Sequence, residues 1–258
     1  WKKLGLIDDV DALRMSSNYY QYLIAIKIGN GTYNYNEALK IDTDAFKKYR
    51  DMYSSFGLGV KTGIDLPVES LGYTGKSTLP GHLLDFAIGQ YDTYTPIQLS
   101  QYINTLANGG TRLKPYLLKE VYAPSEENTQ FGSLIYQAKT EVLGTVDLDS
   151  AYIKRVQEGF HAVMSALGSG YMGNYTNSAG KTGTSQSFLD TDNDGVIDTE
   201  TITQTFGGYA PYDNPQMSMV VISPDISHNQ NGSNYNSSVN KRISSQVANK
   251  FFEMIKKQ

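Results

Sequence analysis

Polar groups suited to acyl chemistry stand together in Lys181-Thr182-Gly183-Thr184, within a chain of 258 residues. Ala179 and Gly180 precede this segment, so little side-chain bulk separates its backbone from a bound molecule. A lysine, two hydroxyls and an approachable N–H along one strand suit a substrate that carries an anion and a carbonyl. The tripeptide Lys-Thr-Gly alone does not identify a functional site, because it also occurs earlier in the chain at Lys61-Thr62-Gly63.

A second candidate group is Ser16 with Asn18, at a break between two predicted helices. A serine and an asparagine two residues apart at the start of a helix can present a hydroxyl and an amide to a cleft. The same residue types also cap helices, and taken alone the cap is the more frequent explanation. Residues 181–184, taken alone, are equally well explained as an edge strand that ends in a glycine bulge.

The elements that must position these residues follow an α+β order, with helices first and antiparallel strands closed by a helix last. Thr95-Pro96 starts one helix and Gly109-Gly110 ends it, because threonine caps a helix and proline fits its first position. Strands are predicted next to the lysine strand at residues 206–210 and 217–222, and a further strand at 117–122. The other predicted helices cover residues 8–15, 18–28, 36–56, 150–167 and 239–256.

Composition excludes several classes of protein. A net charge of −4 without a basic run argues against nucleic acid as a partner. Cysteine is absent, which excludes disulfides, thiol catalysis and cysteine metal sites. The longest apolar stretch, residues 22–28, is too short to span a membrane and includes Lys27. The start on Trp1 without methionine indicates a fragment or a processed product.

Further motifs make the pattern specific. Residues 57–69 contain Thr-Gly-Ile-Asp-Leu-Pro and a glutamate, and Gly89-Gln90 precedes Thr95-Pro96-Ile97-Gln98 and Ala107-Asn108-Gly109-Gly110. With Ser-x-Asn before them and Lys-Thr-Gly after them, these segments resemble the class B penicillin-binding proteins, the monofunctional peptidoglycan D,D-transpeptidases. The similarity covers nearly the whole chain. It places Lys61 in a structural loop of that family, so Lys181 is the functional candidate.

The resemblance implies a penicillin-binding and serine β-lactamase-like fold. Residues 1–258 would form a partial transpeptidase domain, mainly helical over 1–175, with the motif strand, antiparallel strands and closing helix over 176–258. The family's nucleophile belongs to a Ser-x-x-Lys motif well upstream of Ser-x-Asn, so we expect the N-terminal strands and nucleophile helix to precede this chain. Two formal matches, at Ser178 and Ser238, are rejected. The first shares Lys181 with the strand, and the second starts the last predicted helix.

The resemblance also implies a reaction, acyl transfer on peptidoglycan stem peptides ending in D-Ala-D-Ala through a serine acyl-enzyme, with β-lactams bound by the intact enzyme. Ser16 would relay protons to the leaving amine, and Asn18 would hold the substrate amide. Lys181 would supply positive potential. Thr182-Gly183-Thr184 would bind the substrate carboxylate and give an N–H to the oxyanion hole.

Three further expectations concern the setting of the chain. Catalysis would need no cofactor. The chain alone would be inactive and would associate with the upstream segment that carries Ser-x-x-Lys. An anchor in that segment would hold the protein at the extracytoplasmic face of the bacterial membrane.

An acidic loop at residues 190–198 lies outside the family pattern. Acidic residues at its first, third and fifth positions, with Gly195 at the sixth, are typical of a calcium loop. Thr201 stands where such loops carry a bidentate glutamate, so the sequence predicts a weak structural calcium site. An acidic hairpin tip rich in turn formers is the alternative. The predicted ligands are Asp190, Asp192, Asp194, the Val196 carbonyl and Asp198.

Two other functions stay open. One is a D,D-carboxypeptidase or a β-lactamase-related enzyme, although residues 62–67 and 95–98 favour a transpeptidase. The other is a catalytically inert calcium-binding or interaction module that keeps the fold.

Overall fold

The computed structural model describes residues 3–127, 130–168, 170–227 and 238–256. The described residues form seven helices: α1 Asp9–Arg14, α2 Asn18–Ile28, α3 Asp44–Ser55, α4 Pro80–Ala87, α5 Pro96–Ala107, α6 Ser150–Leu167 and α7 Val239–Ile255. Their strands are β1 Thr111–Leu113, β2 Glu120–Tyr122, β3 Leu134–Gln137, β4 Val142–Thr145, β5 Ala179–Leu189, β6 Thr199–Ala210 and β7 Met217–Ser227. None of these helices is long and apolar enough to cross a membrane.

A three-stranded antiparallel sheet carries the lysine motif. β6 lies in the middle, with β5 on one side and β7 on the other. In this register Lys181 lies opposite Gly207, and Thr182 lies opposite Phe206. The predicted neighbouring strands are confirmed, and both are longer than predicted. The remaining strands form two small antiparallel sheets, β1 with β4 and β2 with β3, so the α+β class is confirmed.

The core lies on both faces of this sheet, because successive residues of a strand point to opposite sides. α5 and most of α6 pack on one face, and α7 packs on the other together with Met164 near the end of α6. The first cluster contains Ile103, Leu106, Ala107, Ile153, Phe160, Ala179 and Tyr209. The second contains Met164, Met172, Phe206, Ala210, Met219, Ala248 and Phe252.

A separate helical cluster supports α2, the helix that begins next to Ser16. Phe46, Leu83 and Phe86 form its centre with Ala25 and Ala45. Arg50 of α3 lies 5.2 Å over the Phe86 ring centroid and donates to Asp92 at 2.8 Å. The Asp92 side chain is 3% exposed. A buried carboxylate bonded in this way ties the loop after α4 to α3.

Two predicted boundaries are wrong. The helix predicted over 36–56 begins at Asp44, because Asn36 adopts a left-handed turn with φ 61° and Asp42 accepts the Asp44 N–H at 2.9 Å. The strand predicted over 117–122 begins only at Glu120. The Leu117 and Leu118 N–H groups donate to the Asp65 carboxylate at 2.7 and 2.9 Å, so no neighbouring strand pairs with them there.

The other Lys-Thr-Gly copy lies in a loop, as the interpretation of Lys61 requires. Lys61 is exposed and Thr62 is fully buried. The Glu69 carboxylate accepts the Thr62 hydroxyl, the Thr62 N–H at 2.6 Å and the Gly63 N–H at 3.3 Å. Burial raises the pKa of Glu69, but these hydrogen bonds outweigh it and hold the pKa below its ordinary value.

Two buried glutamines of α5 satisfy the carbonyls of the same loop. Gln98 donates to the Val60 carbonyl at 2.8 Å, and Gln101 donates to the Thr62 carbonyl at 3.1 Å. Gln98 also forms a capping box with Thr95 at the start of α5. The predicted helix start at Thr95-Pro96 is therefore confirmed, and α5 holds the loop on the sheet.

We expect Glu69→Ala to lower the free energy of unfolding at pH 7 by about 1–2 kcal/mol, because three donors lose a charged acceptor. The Glu69 pKa is depressed in the folded chain. Its contribution is therefore present above the unfolded pKa and is lost as the pH falls through the folded pKa. In urea unfolding, the difference in free energy of unfolding between the two proteins should shrink as the pH falls below the unfolded glutamate pKa of about 4.3. Glu126→Ala, at an exposed glutamate, is the control. An equal loss of free energy of unfolding in this variant would contradict the stabilising role of Glu69.

Candidate active site

Ser16 and Lys181 meet although 165 positions separate them in the chain. The Lys181 Nζ donates to the Ser16 Oγ at 2.5 Å and to the Thr182 carbonyl at 2.7 Å. The first contact joins the turn between α1 and α2 to β5. An ammonium that donates to a hydroxyl oxygen forms a short, charge-assisted hydrogen bond, so the two sequence motifs share one polar centre.

Ser16 has a backbone conformation that is uncommon outside glycine. Its φ is 50°, and its side chain is exposed. The helix-cap role belongs to its neighbour, because the Ser17 Oγ accepts the Tyr20 N–H at 3.3 Å and α2 begins at Asn18. The structure thus separates the two explanations weighed for this segment. Ser17 caps the helix, and Ser16 turns its hydroxyl to Lys181.

α6 holds α1 beneath Ser16. The Arg155 guanidinium donates to Asp9 at 2.8 Å and to Asp8 at 2.9 Å, and it pairs with Glu158 on its own helix. Hydrogen bonds from Arg155 lower the pKa of the Asp9 carboxyl. Sequence reasoning missed Arg155, since nothing in its local pattern marks a partner 146 positions away.

α6 also holds the start of the motif strand. The His161 Nδ1 lies 2.8 Å from the Ser178 carbonyl oxygen, and because a carbonyl only accepts, this nitrogen carries the hydrogen. The His161 ring stacks on Tyr212 with centroids 4.3 Å apart. Ser178 is 2% exposed, and Lys181 is engaged by Ser16. The formal Ser-x-x-Lys match at Ser178 is therefore not a nucleophile facing a substrate.

Burial lowers the pKa of Lys181, because a low-dielectric surrounding disfavours the ammonium. Within the described part of the chain, no carboxylate forms an ion pair with it. The positive charge is therefore not neutralised from within these residues. Such a lysine attracts an anionic group of a substrate more strongly than a paired one would.

Thr182 and Thr184 are placed differently from Lys181. Side chains alternate along β5, so the two threonines point to one face, and Lys181 points to the other. Both threonines line a cavity of about 130 Å³ together with Tyr171, Gly183, Gln204, Thr205 and Asn240. The structure brings Lys181 to Ser16 but does not bring the threonine hydroxyls to the same point. Their role in binding a carboxylate stays a prediction.

Asn18 is half-buried at the first position of α2. Its side chain makes no hydrogen bond to another of the described residues. Its amide stays a predicted ligand for a substrate amide.

The acidic loop forms the tip of the β5–β6 hairpin. Oxygens of Asp190, Asp192 and Asp194 lie within 4.8 Å of one another. Asp190 accepts the Gly195 N–H at 2.7 Å, which wraps the loop round the cluster. The predicted ligand Asp198 instead accepts the Thr191 hydroxyl and N–H at 2.6 and 3.0 Å, and the Val196 N–H donates to Asp194 at 2.7 Å. Three of the predicted calcium ligands converge, and calcium binding stays a prediction.

Comparison with known proteins identifies the family. The family described as "Penicillin binding protein transpeptidase domain" matches residues 2–249. The chain belongs to this family. The resemblance seen in the motifs and the penicillin-binding fold are thereby confirmed.

Relatives show how much of a penicillin-binding protein the chain represents. Penicillin-binding protein 2A of Bacillus subtilis is 45% identical over 263 residues, which cover 100% of this chain and 36% of that protein. Peptidoglycan D,D-transpeptidase MrdA of Acinetobacter baumannii is 27% identical over 86% of this chain and 32% of its own length. The structure of penicillin-binding protein 2B from Streptococcus pneumoniae superposes with a TM-score of 0.80 at 30% identity, covering 96% of this chain and 39% of that one. The chain spans about a third of the length of these relatives.

Calcium should raise the melting temperature if the acidic loop binds it. For a dissociation constant of about 10⁻⁴–10⁻³ M, 10 mM calcium should raise it by about 3–8 °C. Asp192→Asn combined with Asp194→Asn should abolish the increase, because two of the three converging carboxylates are lost. An equal increase in melting temperature in this variant, or with magnesium in place of calcium, would contradict a calcium site in the acidic loop.

Lys181 should give the stability of the chain a measurable pH dependence. Its lowered pKa means that the folded chain binds fewer protons than the unfolded chain between the folded pKa and 10.5. The contribution of Lys181 to stability should therefore rise with pH through that window, and Lys181→Met should lack this contribution. Denaturant unfolding between pH 7 and 10.5 measures it. Lys61→Met, at the exposed copy of the motif, should keep the wild-type dependence of the free energy of unfolding on pH. The same dependence in wild type and Lys181→Met would contradict a lowered Lys181 pKa.

Proposed function

We propose that this chain is the substrate-binding part of a class B penicillin-binding protein, a D,D-transpeptidase that cross-links peptidoglycan stem peptides ending in D-Ala-D-Ala. The observation that carries the proposal is the hydrogen bond from Lys181 to Ser16. It joins the serine of the Ser-x-Asn segment to the lysine of the Lys-Thr-Gly segment, in a chain that belongs to the penicillin-binding protein transpeptidase family.

The direction of that hydrogen bond supports a proton relay through Ser16. The Ser16 oxygen accepts from Lys181, so its own hydrogen is left to donate to a neighbouring atom. In the proposed reaction the serine of the upstream Ser-x-x-Lys motif passes its proton to the lysine of that motif and attacks the carbonyl carbon of the penultimate D-alanine, which gives a tetrahedral intermediate. The C–N bond then breaks to leave the serine ester, while Ser16 protonates the departing nitrogen and is reprotonated by Lys181. An amine of a second stem peptide then attacks the ester, its protons return to the serine and the lysines, and the serine is released.

The motif strand is suited to binding the terminal carboxylate and the oxyanion. Lys181 supplies charge that no described carboxylate neutralises. Among the described strands β5 pairs only with β6, so alternate N–H groups along its outer edge point away from the sheet. We assign the Thr184 N–H to the oxyanion hole. The Thr182 and Thr184 hydroxyls can bind the carboxylate only if it reaches the other face of β5, where both threonines line the cavity of about 130 Å³. The same interactions would hold a β-lactam, whose ring carbonyl and carboxylate imitate those of the dipeptide.

The nucleophile in this proposal comes from an upstream segment of the same protein. α2 offers that segment a surface beside the site, because Tyr19 is 72% and Leu23 is 44% exposed on one side of an apolar helix. A helix that is apolar all round is ordinarily covered. The outer edge of β7 is a second place at which the upstream segment can add structure. An anchor in the same segment would place the site at the extracytoplasmic face of the membrane.

Labelled penicillin tests the proposal. We expect no covalent adduct on the 258-residue chain alone, and labelling once the upstream segment with Ser-x-x-Lys is joined to it. In the joined protein Lys181→Met should slow labelling by about 10²–10³-fold, because electrostatic stabilisation of the transition state is lost. Lys61→Met should leave the rate unchanged.

Two results would count against the proposal. An adduct on the chain alone would overturn the rejection of Ser178 and Ser238 as nucleophiles. A joined, folded protein that takes no label would favour the inert interaction module.

A further inference from the structure

We propose that Gly159 is a positioning residue of this site. Because Gly159 has no side chain, α1 can pack close to α6. This close packing brings the Ser16 Oγ within hydrogen-bond reach of the Lys181 Nζ. The catalytic meaning of the inference rests on the proposed function, whereas the geometric claim can be tested without any substrate.

Gly159 is an unusual residue for its position. It is buried in the interior of α6, where glycine costs about 1 kcal/mol relative to alanine. A Cβ atom there would lie 2.4 Å from the Leu13 Cδ1 and 3.1 Å from the Leu13 Cβ. Both distances are shorter than the roughly 3.5–4.0 Å of ordinary carbon contacts. The place of a side chain on α6 is thus occupied by Leu13 of α1.

The same helix fixes both partners of the hydrogen bond. On one side, the Ser16 N–H donates to the Leu13 carbonyl at 3.2 Å, so the Ser16 turn moves with α1. On the other side, His161 holds the Ser178 carbonyl at 2.8 Å, three residues before Lys181. The spacing between Ser16 and Lys181 therefore depends on how α1 and β5 each sit against α6.

α6 contacts α1 at two places, through Arg155 at Asp9 and through Gly159 at Leu13. The position of Ser16 depends more on the Gly159 contact. Arg155 clamps Asp9 at the start of α1, and Gly159 lies one helical turn further along α6, against Leu13 near the end of α1. The Leu13 Cδ1 can turn aside, but the Leu13 Cβ at 3.1 Å is fixed to the α1 backbone. A larger residue at position 159 would therefore displace the end of α1 that leads into Ser16, while Arg155 holds the other end.

The absence of cysteine from the chain allows a direct test. Ser16→Cys places a single thiol beside Lys181, and a neighbouring ammonium lowers a thiol pKa and speeds its alkylation at neutral pH. With iodoacetamide at pH 7, the Ser16→Cys chain should react about tenfold faster than the same chain with Lys181→Met. This difference reports the proximity of position 16 to the Lys181 ammonium.

Gly159→Ala in the Ser16→Cys chain should then slow alkylation by about threefold or more, because the pair separates. Adding Leu13→Ala should restore the rate by making room for the new methyl group. In the Lys181→Met background Gly159→Ala should have no effect, which shows that it acts through the pair. Gly81→Ala is the matched control, since Gly81 is also helical and a Cβ there meets nothing within 4 Å.

Three results would overturn the inference: an unchanged rate in folded Gly159→Ala, an equal loss in Gly81→Ala, or no restoration by Leu13→Ala. If Gly159→Ala does not fold, Leu13→Phe carries the test, because it enlarges the same contact from the α1 side. An unchanged rate there would equally overturn the inference. If the alkylation rates follow the expected pattern but the joined protein takes no penicillin, the proposed function is contradicted and the positioning role of Gly159 is not.

Discussion

The hydrogen bond between Lys181 and Ser16 needs an ammonium that is partly removed from water and a hydroxyl held against it at 2.5 Å. Removing a charge from water costs free energy, and hydrogen bonds to two neutral oxygens, of the Ser16 hydroxyl and the Thr182 carbonyl, return only part of it. The remainder has to come from packing elsewhere in the molecule. The hydrogen bonds and buried contacts round the pair supply it.

α6 meets most of this requirement. It contacts α1 through Arg155 and Gly159, and it contacts the start of β5 through His161. Its Phe160 belongs to the core on one face of the sheet, and its Met164 belongs to the core on the other. One helix therefore connects both sheet faces to both halves of the polar centre.

Local signals predict the structure correctly where they act within one or two turns of the chain. Thr95-Pro96 predicted the start of α5, where the cap, the proline and Gln98 are neighbours. The prediction for Asn36 was wrong because asparagine suits a left-handed turn as well as a cap, and only its surroundings choose between them. Strand alternation could have shown that Thr182 and Thr184 point away from Lys181.

Residue types at fixed spacings were enough to predict the family and the order of helices and strands, and they favour Lys181 over Lys61 as the functional lysine. The roles of two adjacent serines depend on the folded chain, in which Ser17 caps α2 while Ser16 meets Lys181. The tertiary structure also placed Arg155, Gly159 and His161 behind the site. Those assignments depend on side-chain volumes and hydrogen bonds between segments that are far apart in the chain, and no local pattern encodes where such segments touch.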